Sequence, residues 1–491
     1  MKKKKVLIIG GGIAGLCTGV YLQKNGFETE ILEMHSIAGG LATAWKRDGY
    51  TFENCIHWLL GSKEDEELNA TWKEVFDIGQ LEFYNGEIYQ VIEKDDKKLV
   101  IYRNVDRMER EFLTQAPEDG AAIHEFARLV RKLSSFRFPG GDSLFPRLVS
   151  LAKALPHLWR IGKYRKFTMA GYAERFKNPL LKSFFASGLS GLSFLAIAFS
   201  LAWMSRGNAG YPVGGSLKMI GLIEDHFRTL GGNIRFGARV KRIIEKNGKA
   251  AGAALEGGEE VKADIVVSAA DGHATIFQFL EGKFLSDEIE KVYKNYKLFP
   301  SYVQVSFGVS ADLRGEPGLL GMLLDREIVI DPETRVALLS FRVFNFDPTF
   351  APAGKTAVVC FIATYNHEYW VSLREGDKAK YDTEKERVAH DVIRIFEERF
   401  PAAKGKIEVV DVATPASVIR YTGNWKGSME GWLMTPAIGI RQLPLILPGL
   451  KDFYMVGQWV SPGGGLPSGL LTARNVSRRV CRDNRMKWKA A

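Results

Sequence analysis

Gly10, Gly12 and Gly15 stand in the order G-x-G-x-x-G, and a carboxylate, Glu33, follows about 20 residues on. That spacing can hold a dinucleotide. The first glycine permits a tight turn, the second lets backbone approach a pyrophosphate, and the third lets a helix close on a strand. Glu33 would accept hydrogen bonds from ribose hydroxyls and repel a 2′-phosphate, which argues against NADP. At the other end of the chain, Ser461-Pro462-Gly463-Gly464-Gly465-Leu466-Pro467-Ser468-Gly469 is a second glycine turn, able to start a helix. If both turns contact one ligand, everything between them is a substrate apparatus inserted into a nucleotide-binding fold.

The elements that must position these residues are legible nearby. Val6 to Ile9 is an apolar run of the kind a buried parallel strand shows. A helix follows, apolar at Leu16, Val20 and Leu22, with a stop at Asn25-Gly26. Its N-terminus would point free N–H groups at the phosphates. A second strand, Thr29 to Leu32, ends in Glu33. From Tyr211 to Asp271 the spacing predicts a turn, a helix to about Leu230 and a Gly231-Gly232 stop. Strands follow over Asn233–Arg235, Ala238–Glu245 and Ala250–Leu255, then around Val261, and last a buried strand over Ala263–Ala269. Asp452 to Val480 reads as strand, loop, glycine turn and helix. The expected fold is α/β: a discontinuous nucleotide-binding domain from 1–71, 211–290 and 426–491, carrying one inserted α+β substrate domain from 72–210 and 291–425. The first insertion reads as helix-rich. The second mixes strands with a charged helix near Thr383 to Arg399.

Composition bounds the partners. The chain has 491 residues, 46% hydrophobic and 25% charged, ordinary for a globular protein. Its four cysteines, Cys17, Cys55, Cys360 and Cys481, form no CxxC pair and no metal spacing. A reducing compartment and no metal are expected. The net charge of +10 comes with no nucleic-acid-binding module, so an anionic membrane surface is the expected partner and nucleic acid is not. The lysines at 2–5 are too short a lead for a signal peptide and read equally as a solvated cap on the first strand. A cytoplasmic protein, peripheral on the membrane, is expected.

Three segments bear on that surface. The tail from Arg478 to Lys489 is basic with Trp488, a composition that suits headgroups. Leu144 to Phe167 mixes Trp159 and Tyr164 with Arg147, Lys153, Arg160 and Lys163, as an interfacial helix or a basic surface helix would. Phe184 to Met204 carries no charge and could span a bilayer by length, but its serines and glycines favour a buried helix pair lining a cavity.

With these residues in hand, the sequence resembles the phytoene desaturase, carotenoid isomerase and retinol saturase family of flavoproteins. The matching blocks are GGGIAGL at 10–16 with Glu33 and Gly39-Gly40, YPVGGSLKMIGLIEDHFRTLGGNIRFGARVKRI at 211–243, ADIVVSAAD at 263–271, and FYMVGQWVSPGGGLPSGLLTARNV at 453–476. The resemblance implies bound FAD, a hydrophobic polyene or isoprenoid substrate, and redox at carbon–carbon bonds. Carried over by position, the cofactor contacts are Gly10, Gly12, Ile13, Ala14, Gly15, Glu33, Gly39, Gly40, Leu41, Val240, Ala269, Gly457, Gln458, Gly464, Gly465 and Leu466. Leu41 stands where many relatives have Arg, and Gln458 where broader flavoproteins often have Asp. Phe52-Glu53-Asn54-Cys55-Ile56-His57-Trp58 resembles the F-D-x-G-x-H-Y stretch of the saturase and isomerase branch, with Cys55 in place of glycine.

Within that frame the catalytic candidates are His57, Tyr421 and Glu430. His57 neighbours the expected flavin pocket and titrates near neutrality; a structural histidine bonded to backbone is the alternative. Tyr421 and Glu430 lie in a segment that directly precedes the last cofactor block and is expected to close over the flavin. Glu430 serves as a base only if burial raises its pKa; otherwise it is a salt-bridge partner. One dinucleotide fingerprint implies no NAD domain, so electrons pass to or from a diffusible carrier, a quinone or oxygen. A redox-neutral double-bond isomerase or hydratase, an amine oxidase and a non-enzymatic carrier are the competing readings.

Overall fold

The computed structural model describes residues 3–136, 161–186, 189–439 and 441–490. Val6, Leu7 and Ile8 are fully buried, as an apolar run inside a parallel sheet must be. They belong to the first strand, Lys5–Ile9, at the centre of a five-stranded sheet. The order across that sheet is Asn233–Arg235, Glu28–Leu32, Lys5–Ile9, Ile265–Ser268 and Phe453–Met455, all parallel. Three distant stretches of chain therefore meet in one layer. The Ile13–Lys24 helix is buried along Ala14 to Leu22 and packs against the last helix, Gly465–Asp483, and the Gly215–Thr229 helix. A three-stranded meander, Val240–Lys246, Lys249–Leu255 and Glu260–Lys262, lies beside the sheet.

The second layer is a seven-stranded sheet in the order Ile407–Ala413, Ser301–Val309, Thr356–Thr364, Thr334–Val343, Leu319–Asp331, Ile88–Lys94 and Lys97–Tyr102. It is antiparallel except where Ile88–Lys94 runs parallel to Leu319–Asp331. The Ile88–Tyr102 hairpin departs from the helix-rich reading of 72–210. Val91 and Ile92 are both buried because the pair is covered on two faces, and that continuous burial hides the alternation of an edge hairpin.

The uncharged stretch from Phe184 to Met204 is divided between the helices Pro179–Ala186 and Phe194–Ser205. They pack into an aromatic core in which Tyr172 stacks on Phe194 at 3.6 Å and Phe176 on Phe185 at 4.9 Å. Among the described residues no helix is long and apolar enough to cross a membrane. Of the basic stretch 144–167, Arg147, Lys153 and Arg160 lie outside the described residues, while Lys163 pairs with Glu125 at 2.9 Å. Trp488 does not stand free for headgroups. Its ring lies 5.5 Å from that of Tyr21, and Asn25 holds the Lys489 backbone at 2.8 Å on both its N–H and its carbonyl.

Candidate functional site

Each strand of the parallel sheet that carries a cofactor candidate delivers it just past its C-terminal end, where open α/β sheets bind ligands. Gly10 follows the first strand, Glu33 the second, Ala269 the Ile265–Ser268 strand and Gly457 the Phe453–Met455 strand. These residues open on one cavity of about 890 Å³, near the upper end of the range for ligand sites. Its lining also includes Gly12, Ile13, Ala14, Gly39, Gly40, Leu41, Val240, Gln458, Gly465 and Leu466, together with His57, Tyr421 and Glu430.

Gly15 and Gly464 are not part of that lining, and their chemistry is close approach. A Cβ on Gly15 would sit 2.0 Å from the Gly10 carbonyl oxygen, so only glycine lets the helix close on the first turn. A Cβ on Gly464 would sit 2.5 Å from the Glu430 carbonyl oxygen, and its φ of +53° is left-handed. That contact presses the last glycine turn against the segment bearing Glu430.

Two helix starts and one carboxylate suit the cavity to a dinucleotide. The Ile13–Lys24 and Gly465–Asp483 helices start at Gly12 and Gly464, neither of which offers a capping side chain. Their first amides are left for an anion. Glu33 is buried, with Oε2 accepting from Gly11 N–H at 2.6 Å and Oε1 from His35 N–H at 2.8 Å, which fixes its carboxylate at the cavity edge. The Gln458 amide donates to Asn424 Oδ1 at 3.2 Å, as does the Trp459 indole.

The three catalytic candidates sit in different surroundings. Tyr421 is 48% exposed, and its ring stands edge-on to His35 at 5.2 Å, beside the Glu33 end of the cavity. Glu430 faces the cavity, and burial alone pushes its carboxyl up to about 7. His57 does not titrate near neutrality. Burial and the Arg342 guanidinium hold it well below its ordinary value. Arg342 donates from Nη1 to the His57 carbonyl at 3.3 Å and from Nη2 to Nδ1. The imidazole is therefore neutral with its proton on Nε2.

Several residues of the site were not singled out in the sequence. Glu53 is buried and accepts from Ser216 N–H at 2.8 Å, the Ser216 hydroxyl, and the N–H groups of Asn54, Cys55 and Ile56 at 3.1, 2.9 and 3.2 Å. It locks the loop carrying His57 onto the Gly214–Ser216 turn. Asp271 accepts from Ala274 N–H at 2.7 Å and Trp425 N–H at 2.9 Å, tying the 421–432 segment over the cavity, and burial pushes it up to about 7. Tyr302 and Phe361, on two strands of the large sheet, pack with ring centroids 4.1 Å apart and planes tilted by 32°, forming an aromatic wall beside His57. The acidic residue at the end of the ADIVVSAAD block was a usable signal for Asp271. Arg342 and Phe361 had none, because their role comes from strand pairing far away in sequence.

A family model described as flavin containing amine oxidoreductase matches residues 13–481. The chain is similar to a chloroplastic prolycopene isomerase of Daucus carota, with 24% identity over 99% of this chain and 81% of the relative. It is also similar to a 4,4'-diapophytoene desaturase of a Methylomonas species, with 23% identity over 99% of this chain and 97% of the relative. Among solved structures, an oxidoreductase from Methanosarcina mazei shares the fold with a TM-score of 0.60 and 20% identity, covering 96% of this chain and 99% of the other.

Proposed function

The chain belongs to the flavin-containing amine oxidoreductase family, and from that premise we propose an FAD-dependent oxidoreductase that desaturates or saturates carbon–carbon bonds of a hydrophobic isoprenoid or carotenoid-like lipid. The observation that carries this reading is one continuous cavity lined by a dinucleotide cradle and also by the aromatic wall of Tyr302 and Phe361 and by Glu430. The relatives named for prolycopene and diapophytoene support a polyene. Segments 1–71, 211–290 and 426–491 hold the cofactor, and 72–210 with 291–425 form the substrate side.

FAD supplies exchange of a hydride with the substrate carbon. The accompanying proton falls to Glu430, whose elevated pKa lets it give or take a proton near neutral pH. His57, held neutral by Arg342, offers its Nε2–H as a donor and completes the wall. Asp271 and Asn424 hold the 421–432 segment closed against water. Tyr421 shapes the rim next to Glu33 and His35. Electrons leave or arrive by a diffusible carrier, a quinone or oxygen, and the net charge of +10 favours an anionic membrane surface as partner.

A redox-neutral isomerase or hydratase is the second reading, favoured by the prolycopene isomerase similarity. An amine substrate fits less well, because the Arg342 guanidinium behind His57 repels a protonated amine. Mass spectrometry of lipids co-purified with the holoenzyme tests the substrate class. Enrichment of one polyene or isoprenoid over bulk lipid is expected; a lipid profile identical to the bulk extract counts against it.

A further inference from the structure

We propose that a small cavity beside Arg342 is a carboxylate-binding site, so that the lipid acted on carries an acid group at the end that enters it. This rests on the lipid-substrate reading above. The cavity measures about 50 Å³ and is lined by Glu53, Ile56, Leu319, Val359 and Arg342, among others. On the same measure a water needs about 10–15 Å³, so three heavy atoms of a carboxyl group can be housed. Asn54, Cys55, His57 and Phe361 line both this cavity and the large one, which places it directly behind the aromatic wall.

Arg342 is the only buried lysine or arginine among the described residues, at 9% exposure. Three partly covered arginines have a carboxylate: Arg206 meets Glu66 at 2.9 Å, Arg474 meets Glu74 at 2.7 Å, and Arg399 meets Glu93 at 2.6 Å; Arg103, which acts on Arg342, meets the Ala209 carbonyl at 3.0 Å and, like Arg342, has a buried Nε without a partner. No carboxylate among the described residues lies within ion-pair distance of Arg342. Each terminal nitrogen gives one of its two N–H groups to His57, and its Nε is buried without a partner. Glu53, the acid that lines the same cavity, is saturated by the five donors from Ser216, Asn54, Cys55 and Ile56. Glu53 acts on Arg342 from beyond ion-pair distance, and Arg103 adds a further positive charge to the same surroundings. A buried guanidinium needs a counterion, and a carboxylate is the group that matches its fork. A pure hydrocarbon offers none.

The test uses a matched isoprenoid pair, geranic acid and geraniol, titrated calorimetrically into the flavin-loaded protein. The acid is expected to bind about ten-fold more tightly than the alcohol. Arg342→Met should remove that acid-over-alcohol preference, read as the ratio of the two affinities in the same variant, and Arg342→Lys should keep part of it. Equal affinity of acid and alcohol for the unaltered protein, or a preference that survives Arg342→Met, overturns the inference while leaving the lipid-substrate reading intact. Binding of neither compound overturns both.

Discussion

Glu430 faces the cavity with nothing but burial acting on its carboxyl, and that isolation is what makes it useful. A group poised at about 7 exchanges protons in either direction at working pH. As a base in desaturation it must be ionised, so the rate should rise with pH through about 7; as an acid in saturation it must be protonated, so the rate should fall there. Glu430→Gln should lower turnover by about 10²–10⁴-fold and flatten that limb, with flavin content unchanged. A pH–rate profile of both proteins reads this. His57→Gln should leave the limb in place, because the imidazole is already neutral across that range. Both residues were singled out in the sequence and line the cavity, but their protonation was not legible there. The raised pKa of Glu430 and the lowered one of His57 come from burial and from Arg342, which is brought to His57 only by the large sheet.

At the scale of elements, the glycine turns were readable because their spacing encodes local geometry. Strand, turn, helix and acid occur within one short stretch, and the structure places Gly10, Gly12 and Glu33 on one cavity accordingly. Gly15→Ala should push the Ile13–Lys24 helix away from Gly10 and destabilise the protein by about 1–3 kcal/mol, with loss of co-purified flavin. Thermal melting and the flavin absorbance of the purified variant check this; a flavin-replete variant with unchanged melting would contradict the packing described. Other elements resisted reading. Ile88–Lys94 finds its parallel partner in Leu319–Asp331, and nothing local in either stretch announces that pairing. Trp488 looks like a membrane residue by composition, yet its ring packs on Tyr21 and the next residue, Lys489, is held by Asn25.

For the whole molecule, the parallel sheet assembled from three distant stretches and the large sheet shared by both insertions bring the cofactor cradle and the aromatic wall onto one large cavity. The net charge of +10 bears on how a lipid reaches it. Replacing Arg147, Lys153, Arg160 and Lys163 by Gln should weaken sedimentation with phosphatidylserine vesicles and restore little of it at low salt. Binding equal to that of the unaltered protein would remove this stretch from membrane docking. Flavin-dependent redox at carbon–carbon bonds of an isoprenoid lipid is read by anaerobic mixing of the holoenzyme with isoprenoid lipid while the flavin band is followed. The account predicts a change of flavin redox state matched by a two-hydrogen change in the lipid: bleaching of the oxidised protein, or reoxidation of the dithionite-reduced one. No flavin change with lipid in either state, together with peroxide release on adding polyamines in air, would contradict it.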